Sequence, residues 1–329
     1  MADSIRAAIL GTGSAVPTKV MTNADFEKFL DTSDEWITQR TGIKERHVAG
    51  DAQTTASLAA EAGRNALAAA GLTAAELDLI VCATVSPEMP FPATACFVQE
   101  ALGVKNIPAF DVGAACSGFL YALSTGGAFV ESGRYRRVLV LGADTLSKFS
   151  DYTDRGSCIL FGDGAGAVVL EPSTNGRGVL YSVLCADGAG WDYIHIPAGG
   201  SRTPASAKTV EDHDHYVKMR GREVYKFAVE KMQWLIGDCM EKCDLKVDDV
   251  DLLIPHQVNS RIIESAAEKH NFPMEKIYMN IHRYGNTSAA SIPLALDEAV
   301  RSGRAKPGSL VIMVAFGAGL TWAGSVVRL

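Results

Sequence analysis

Short apolar runs rich in β-branched residues alternate along the chain with alanine-rich stretches of helical period. The two kinds of segment predict strands and helices in succession. Residues 5–10 predict a strand. Residues 58–70 predict a helix that stops at Gly71, because glycine accepts the positive φ that closes a helix. Residues 77–84 predict a buried strand, residues 116–131 a strongly apolar helix, and residues 137–142 and 165–171 two further strands. Alternation of this kind indicates an α/β fold whose sheets are covered on both faces.

A run of turn-formers, Pro-Ser-Thr-Asn-Gly-Arg-Gly at 172–178, interrupts the pattern near the midpoint. Beyond it the pattern returns. Asp78-Leu-Ile-Val resembles Asp251-Leu-Leu-Ile, the run from Arg137 resembles the run from Ser309, and the run from Ala165 resembles the run from Ala323. Three matches in the same order point to an internal duplication, with halves 1–174 and 175–329 and a site at their junction.

Composition narrows the function classes. Hydrophobic residues at 47% and charged residues at 21% describe a folded globular chain of 329 residues. A net charge of −7 leaves no excess of cations for nucleic-acid binding. The seven cysteines are irregularly spaced and form no CxxC pair, so neither a metal site nor a disulfide framework is expected. The N-terminus lacks the pattern of a secretory signal, and no apolar stretch approaches the roughly 20 residues that span a bilayer. The expected location is the cytoplasm. Gly11-Thr-Gly13 and Gly162-Asp-Gly164-Ala-Gly166 lack the glycine spacing or the following helix of a nucleotide site, and read as close packing.

Three residues carry candidate chemistry. Cys116 lies among small residues at the start of the predicted apolar helix, where the helix terminus would favour the thiolate; a buried core cysteine is the other reading. His256 follows a predicted buried strand, where ligand-facing side chains collect, or it is a hydrogen-bonded structural histidine. Asn286 precedes an alanine-rich stretch and reads on its own as a helix N-cap. The residues alone leave these readings open.

Taken together the motifs resemble a known family. Ala-Cys-Ser-Gly-Phe at 115–119, Pro-His-Gln-Val-Asn at 255–259 and Gly-Asn-Thr-Ser-Ala-Ala-Ser-Ile-Pro at 285–293 resemble the three active-site blocks of β-ketoacyl-acyl-carrier-protein synthase III, in the thiolase-like superfamily. The stretches at 34–43, 161–167 and 316–324 are similar as well, so the resemblance spans nearly the whole chain. It implies a duplicated α-β-α-β-α five-layered fold, a homodimer, and no cofactor beyond acyl-CoA and malonyl-acyl carrier protein as substrates. The implied reaction is a decarboxylative Claisen condensation that gives a 3-oxoacyl-acyl carrier protein and opens fatty acid synthesis.

The resemblance assigns roles by position. Cys116 is the acyl-accepting nucleophile, His256 and Asn286 donate to the malonyl thioester carbonyl, and the backbone N–H groups of Cys116 and Ala318 hold the second oxyanion. Glycine is also common at the position of Ala318. Trp36 and Arg155 sandwich the adenine of coenzyme A, with Arg40 nearby. Phe91 reaches into the partner's acyl pocket, and its bulk suggests a short primer such as acetyl. Lys226, Gln257, Arg261 and Lys269 face the acidic carrier protein, although Glu268 stands at a neighbouring basic position of the family. The polar stretch 198–215, with His213 and His215, reads as a surface excursion near the entrance and not as a metal site. Rival readings are a relative using a longer or branched primer, a polyketide starter enzyme, a cysteine hydrolase, and a non-catalytic carrier-binding paralogue.

Overall fold

The computed structural model describes residues 5–329. The reading of the extreme N-terminus falls in part on residues 1–4, outside the described residues. Nine strands build two sheets: β1 (Arg6–Ala15), β2 (Leu79–Ala83), β3 (Ala109–Val112), β4 (Val138–Thr145), β5 (Asp163–Ser173), β6 (Gly178–Ala186), β7 (Leu252–Pro255), β8 (Leu310–Gly317) and β9 (Thr321–Arg328). The first sheet has the order β1-β5-β4-β2-β3 and the second β6-β9-β8-β7. The senses also match. β2 is parallel to β4, which is antiparallel to β5, which is antiparallel to β1. In the second sheet β7 is parallel to β8, which is antiparallel to β9, which is antiparallel to β6.

The correspondence extends to single hydrogen bonds. Asp78 Oδ2 accepts from Arg137 N at 2.8 Å, while Asp78 N donates to Arg137 O at 2.9 Å. Asp251 Oδ2 accepts from Leu310 N at 2.7 Å, while Asp251 N donates to Leu310 O at 2.9 Å. Each carboxylate thus anchors the start of the neighbouring parallel strand. The structural counterpart of Arg137 is Leu310, not Ser309, so the sequence alignment of the repeat was out of register by one residue.

Seven helices complete the layers: α1 (Asp34–Thr41), α2 (Thr55–Ala70), α3 (Thr94–Ala101), α4 (Gly118–Glu131), α5 (Gly221–Lys242), α6 (Ser260–Lys269) and α7 (Ser291–Arg301). Strand alternation sends Ile80 and Cys82 outward to a cluster with α2, and Leu79, Val81 and Ala83 inward. On β8 the inward set is Val311, Met313 and Ala315; Leu310, Ile312 and Val314 pack outward against α5 and α6. Both inward sets close on α4 and α7, which fill the space between the sheets. The result is a five-layered α-β-α-β-α stack.

Local signals explain several boundaries. α2 begins at a capping box formed by Thr54 and Ser57 and ends at Gly71 with φ 68°, as its sequence required. The glycine stretches are close-packing sites. A Cβ at Gly13 would lie 2.2 Å from Ala66 N on α2, and one at Gly166 would lie 2.7 Å from Leu294 N on α7. No helix of the described residues is long and apolar enough to cross a membrane.

Candidate active site

Cys116 does not lie on the regular helix predicted for it. It occupies a 3-10 turn, Ala115–Ser117, between β3 and α4. Ala115 holds φ at 46°, a left-handed conformation that costs a non-glycine residue energy and is kept only where packing enforces it. The enforcement comes from the loop between β8 and β9. Thr321 Oγ1 donates to Ala114 O at 2.9 Å and lies 2.7 Å from Ser117 Oγ, and a Cβ at Gly317 would stand 2.6 Å from Cys116 N. Among the described residues neither Cys116 N–H nor Ala318 N–H donates to a backbone carbonyl outside its own helix or strand.

The thiol is half-buried and its Sγ lies 3.5 Å from Ser288 Oγ. Burial pushes the thiol up to about 12 and outweighs the hydrogen bond from Ser288. This desolvation opposes the helix-start effect expected from the sequence.

His256 follows β7 and is anchored by its N–H, which donates to Val314 O at 2.8 Å. The ring is fully buried and meets Phe316 edge-on, with centroids 5.6 Å apart. Neither ring nitrogen has a hydrogen-bond partner. Desolvation holds the imidazole down to about 3, so it is neutral and carries one N–H. A buried polar group without a partner costs stability and marks a place where a ligand is expected to supply one.

Asn286 is 4% exposed and pinned by its backbone, accepting from Gly162 N at 3.0 Å and donating to Leu160 O at 2.8 Å. Its Oδ1 accepts from Ser288 N at 2.9 Å. This is a turn contact two residues on and not the expected N-cap, since the 3-10 turn Ser288–Ala290 is capped at Thr287. The other end of the carboxamide, Nδ2, is left to donate.

These side chains share one cavity of about 310 Å³, lined by Cys116, His256, Asn286, Ser288, Ala318 and His195, with apolar groups such as Leu146, Phe161 and Phe316. One wall comes from an unexpected source. The short strands Ile194–His195 and Lys218–Met219 pair as a ribbon, and Ile194, Ile196, Val217 and Met219 face the cavity. The 198–215 excursion is the far end of that ribbon, with a short helix Ala207–Glu211. His213 Nδ1 ties it to Asp151 Oδ2 at 2.9 Å. Among the described residues no cluster of three or more His, Cys, Asp or Glu is placed to hold a metal.

The expected binding residues fall in three places. Trp36 carries the guanidinium carbons of Arg40 and Arg155 at 4.6 and 4.9 Å from its ring centroid, so all three meet. Arg155 also donates to Asp31 O at 2.5 Å. The guanidinium of Arg155 lies against the indole itself. Lys226, Arg261 and Lys269 are exposed on α5 and α6. Asn259 Nδ2 donates to Arg40 O at 2.9 Å, which sets the start of α6 beside the end of α1. Phe91 is 83% exposed and does not line the cavity of its own chain.

Gln257 does not face a carrier protein. It is 1% exposed. Its Nε2 donates to Pro255 O and Tyr278 O, and its Oε1 accepts from Asn280 N and Ile281 N. All of its capacity is spent inside the fold, where it joins β7 to the segment leading to Asn286.

Two residues beside the sulfur escaped the sequence reading. Ser288 stands inside the Asn286 motif. Asp144 is the next-to-last residue of β4, its side chain fully buried and accepting from Thr84, Val85, Ser86 and Ala289. The only available signal was an aspartate closing an otherwise apolar strand.

Known proteins match this chain throughout. A family model for 3-oxoacyl-[acyl-carrier-protein (ACP)] synthase III matches residues 110–188, and the C-terminal model of the same enzyme matches residues 240–329. The chain is 54% identical over 328 residues to the beta-ketoacyl-[acyl-carrier-protein] synthase III of Caldanaerobacter subterraneus subsp. tengcongensis, covering 100% of this chain and 99% of that one. It is 50% identical over 323 residues to the enzyme of that name from Clostridioides difficile, covering 98% of each. The crystal structure of 3-oxoacyl-[acyl-carrier-protein] synthase III from Aquifex aeolicus VF5 superposes with a TM-score of 0.91 at 46% identity, covering 98% of this chain and 100% of that one. With its length, its stack of layers and its active-site blocks all matched, the chain belongs to the 3-oxoacyl-[acyl-carrier-protein] synthase III family.

Proposed function

We propose that this chain condenses a short acyl group, delivered by coenzyme A, with malonyl-acyl carrier protein, releasing CO2 and giving a 3-oxoacyl-acyl carrier protein that starts a fatty acid. The observation that carries the reading is the meeting of Cys116, His256 and Asn286 on one cavity, with a neutral imidazole and a free Nδ2 as its donors.

In the first half-reaction Cys116 Sγ attacks the acyl thioester, and the backbone N–H groups of Cys116 and Ala318 receive the oxyanion. Coenzyme A leaves as a thiol. In the second, the malonyl thioester carbonyl accepts from His256 and from Asn286 Nδ2. Loss of CO2 makes that oxygen anionic, and each positioned donor is worth about 3 kcal/mol in such a site. The enolate carbon then attacks the acyl-Cys116. No base is needed for decarboxylation, which suits an imidazole that burial keeps neutral.

Acetyl is the expected primer. Trp36, Arg40 and Arg155 would bind the nucleotide of coenzyme A, and Lys226, Arg261 and Lys269 the acidic carrier protein. The exposure of Phe91 supports a homodimer in which its ring enters the partner's cavity. The reading needs no cofactor and places the protein in the cytoplasm.

Intact mass after mixing with acetyl-CoA, then malonyl-acyl carrier protein, tests the function. An acetyl adduct on Cys116 that the malonyl substrate discharges with CO2 release is the expected result. Discharge by water alone, without a condensed product, would make the protein a hydrolase.

A further inference from the structure

We propose that Arg46 is a positioning residue for the condensation: from outside the cavity it holds the segment of chain on which the Asn286 carboxamide is registered. The inference rests on the reading of Asn286 as a donor to the malonyl thioester and adds what keeps that donor in place.

Arg46 lies in the short strand Glu45–His47, which pairs with Val20–Thr22. It is completely buried, and it is not among the residues that line the cavity. Burial lowers the guanidinium only to about 10, so it is a cation at neutral pH. Its acceptors are all neutral. Nη1 donates to Met21 O at 3.2 Å and to Asn23 Oδ1 at 2.9 Å, and Nη2 donates to Ile159 O at 2.6 Å. The ring of Phe26 lies 4.6 Å from the guanidinium carbon. Desolvating a cation for neutral acceptors is costly, and an apolar side chain would fill the space without that cost. What an apolar side chain cannot do is hold the Ile159 carbonyl.

That carbonyl begins the segment that fixes Asn286. Leu160 O accepts from Asn286 N at 2.8 Å and Gly162 N donates to Asn286 O at 3.0 Å, so Phe161 and Asn286 form a parallel bridge. The Arg46 stem packs against both chains of this bridge. A Cβ at Gly162 would lie 3.1 Å from Arg46 Cβ, and one at Gly285 would lie 3.3 Å from it. The neighbours of Arg46 grip the same place. Lys44 N donates to His282 O at 3.1 Å, and the His47 ring centroid lies 5.2 Å from that of Tyr284. A misplacement of about 1 Å at a reacting group can cost on the order of 100-fold in rate. The carboxamide needs that accuracy, because it serves an oxygen whose charge develops only as CO2 leaves. Cys116 is set by other contacts, those of the loop that carries Gly317 and Thr321.

A double-mutant cycle tests this. CO2 release from saturating malonyl-acyl carrier protein is measured beside loading by acetyl-CoA, read by intact mass, well below the lowest Tm of the set. Arg46→Met is expected to slow CO2 release about 20-fold or more and loading by less than about threefold, and Arg46→Lys to lose less. In an Asn286→Ala background Arg46→Met should slow CO2 release by less than about twofold further, because no donor is left to position. If the whole loss reappears in that background, or if loading falls equally, Arg46 merely supports the fold and the inference is overturned. Should Arg46→Met fail to fold, Arg46→Lys carries the same cycle with the same criterion. If Asn286→Ala by itself leaves CO2 release unchanged, the functional reading fails first and the inference falls with it.

Discussion

The Ser288 N–H donates to Asn286 Oδ1 at 2.9 Å, and this one bond decides which end of the carboxamide faces the cavity. Asn286→Asp would keep the acceptor for Ser288 N–H and replace the donor with a negative oxygen. Decarboxylation of malonyl-acyl carrier protein should fall about 100- to 1,000-fold, the usual effect of removing an oxyanion donor. Acetylation of Cys116 should change only a few-fold. Mass spectrometry and CO2 release separate the two, and equal losses in both would contradict the assigned role.

His256 also leaves a signature in acid. Its folded pKa is about 3 against an ordinary value of 6.5, so between these limits the unfolded chain binds a proton that the folded chain refuses. Its contribution is therefore present above pH 6.5 and is lost as the pH falls through this window. At pH 5 the loss amounts to about 2 kcal/mol for a single group. Urea unfolding at pH 7 and pH 5 should show a larger drop for the parent protein than for His256→Gln. Equal drops would mean that the ring is protonated in the fold.

Gly317 closes on the backbone of Cys116 with no room for a methyl group. Gly317→Ala should lower stability by about 1–3 kcal/mol, as overpacking does, and should slow loading because the 3-10 turn shifts. Gly188→Ala serves as the control, since a Cβ there meets nothing within 4 Å. A Tm and a loading rate unchanged by Gly317→Ala would show that the loop gives way freely.

The Arg155 guanidinium lies 4.9 Å from the Trp36 ring centroid, where the proposed adenine would stack. Trp36→Ala should raise KM for acetyl-CoA about tenfold, the value of one lost base stack, and leave the rate with acetyl-pantetheine unaltered. A KM that rises for both substrates would move the adenine site elsewhere.

Gln257 and Arg261 should behave in opposite ways. Gln257→Ala removes four buried hydrogen bonds and should lower Tm with little change in KM for malonyl-acyl carrier protein. Arg261→Glu should leave Tm in place and raise that KM several-fold, more at low salt than at high. Steady-state kinetics at two salt concentrations and a thermal melt suffice.

Much of the fold was legible because its signals are local. Gly71 stops its helix through its own φ, and the repeated Asp-Leu-Leu/Ile strand starts mark equivalent positions in both sheets. The candidate site was legible through whole motifs and not through single residues. Asn286 read alone as a helix cap, but the cap position is Thr287, and the Asn286 oxygen instead holds Ser288 N in a turn. The reading missed where long-range burial decides. Nothing near Cys116 in sequence tells that the fold desolvates its sulfur, and Gln257 looks like any polar neighbour of a site histidine until the segment at 278–281 closes over it. Asp144 meets Ala289 across 145 residues of chain, a contact that no spacing rule reaches.

The approach of Gly317 to Cys116 joins a loop of the second sheet to a turn that follows the first. A ribosome releases the cysteine about 140 residues before it releases the imidazole. Until the later copy docks, the sulfur of the first half has neither the imidazole nor the carboxamide beside it, and only the finished polypeptide brings the three to one cavity.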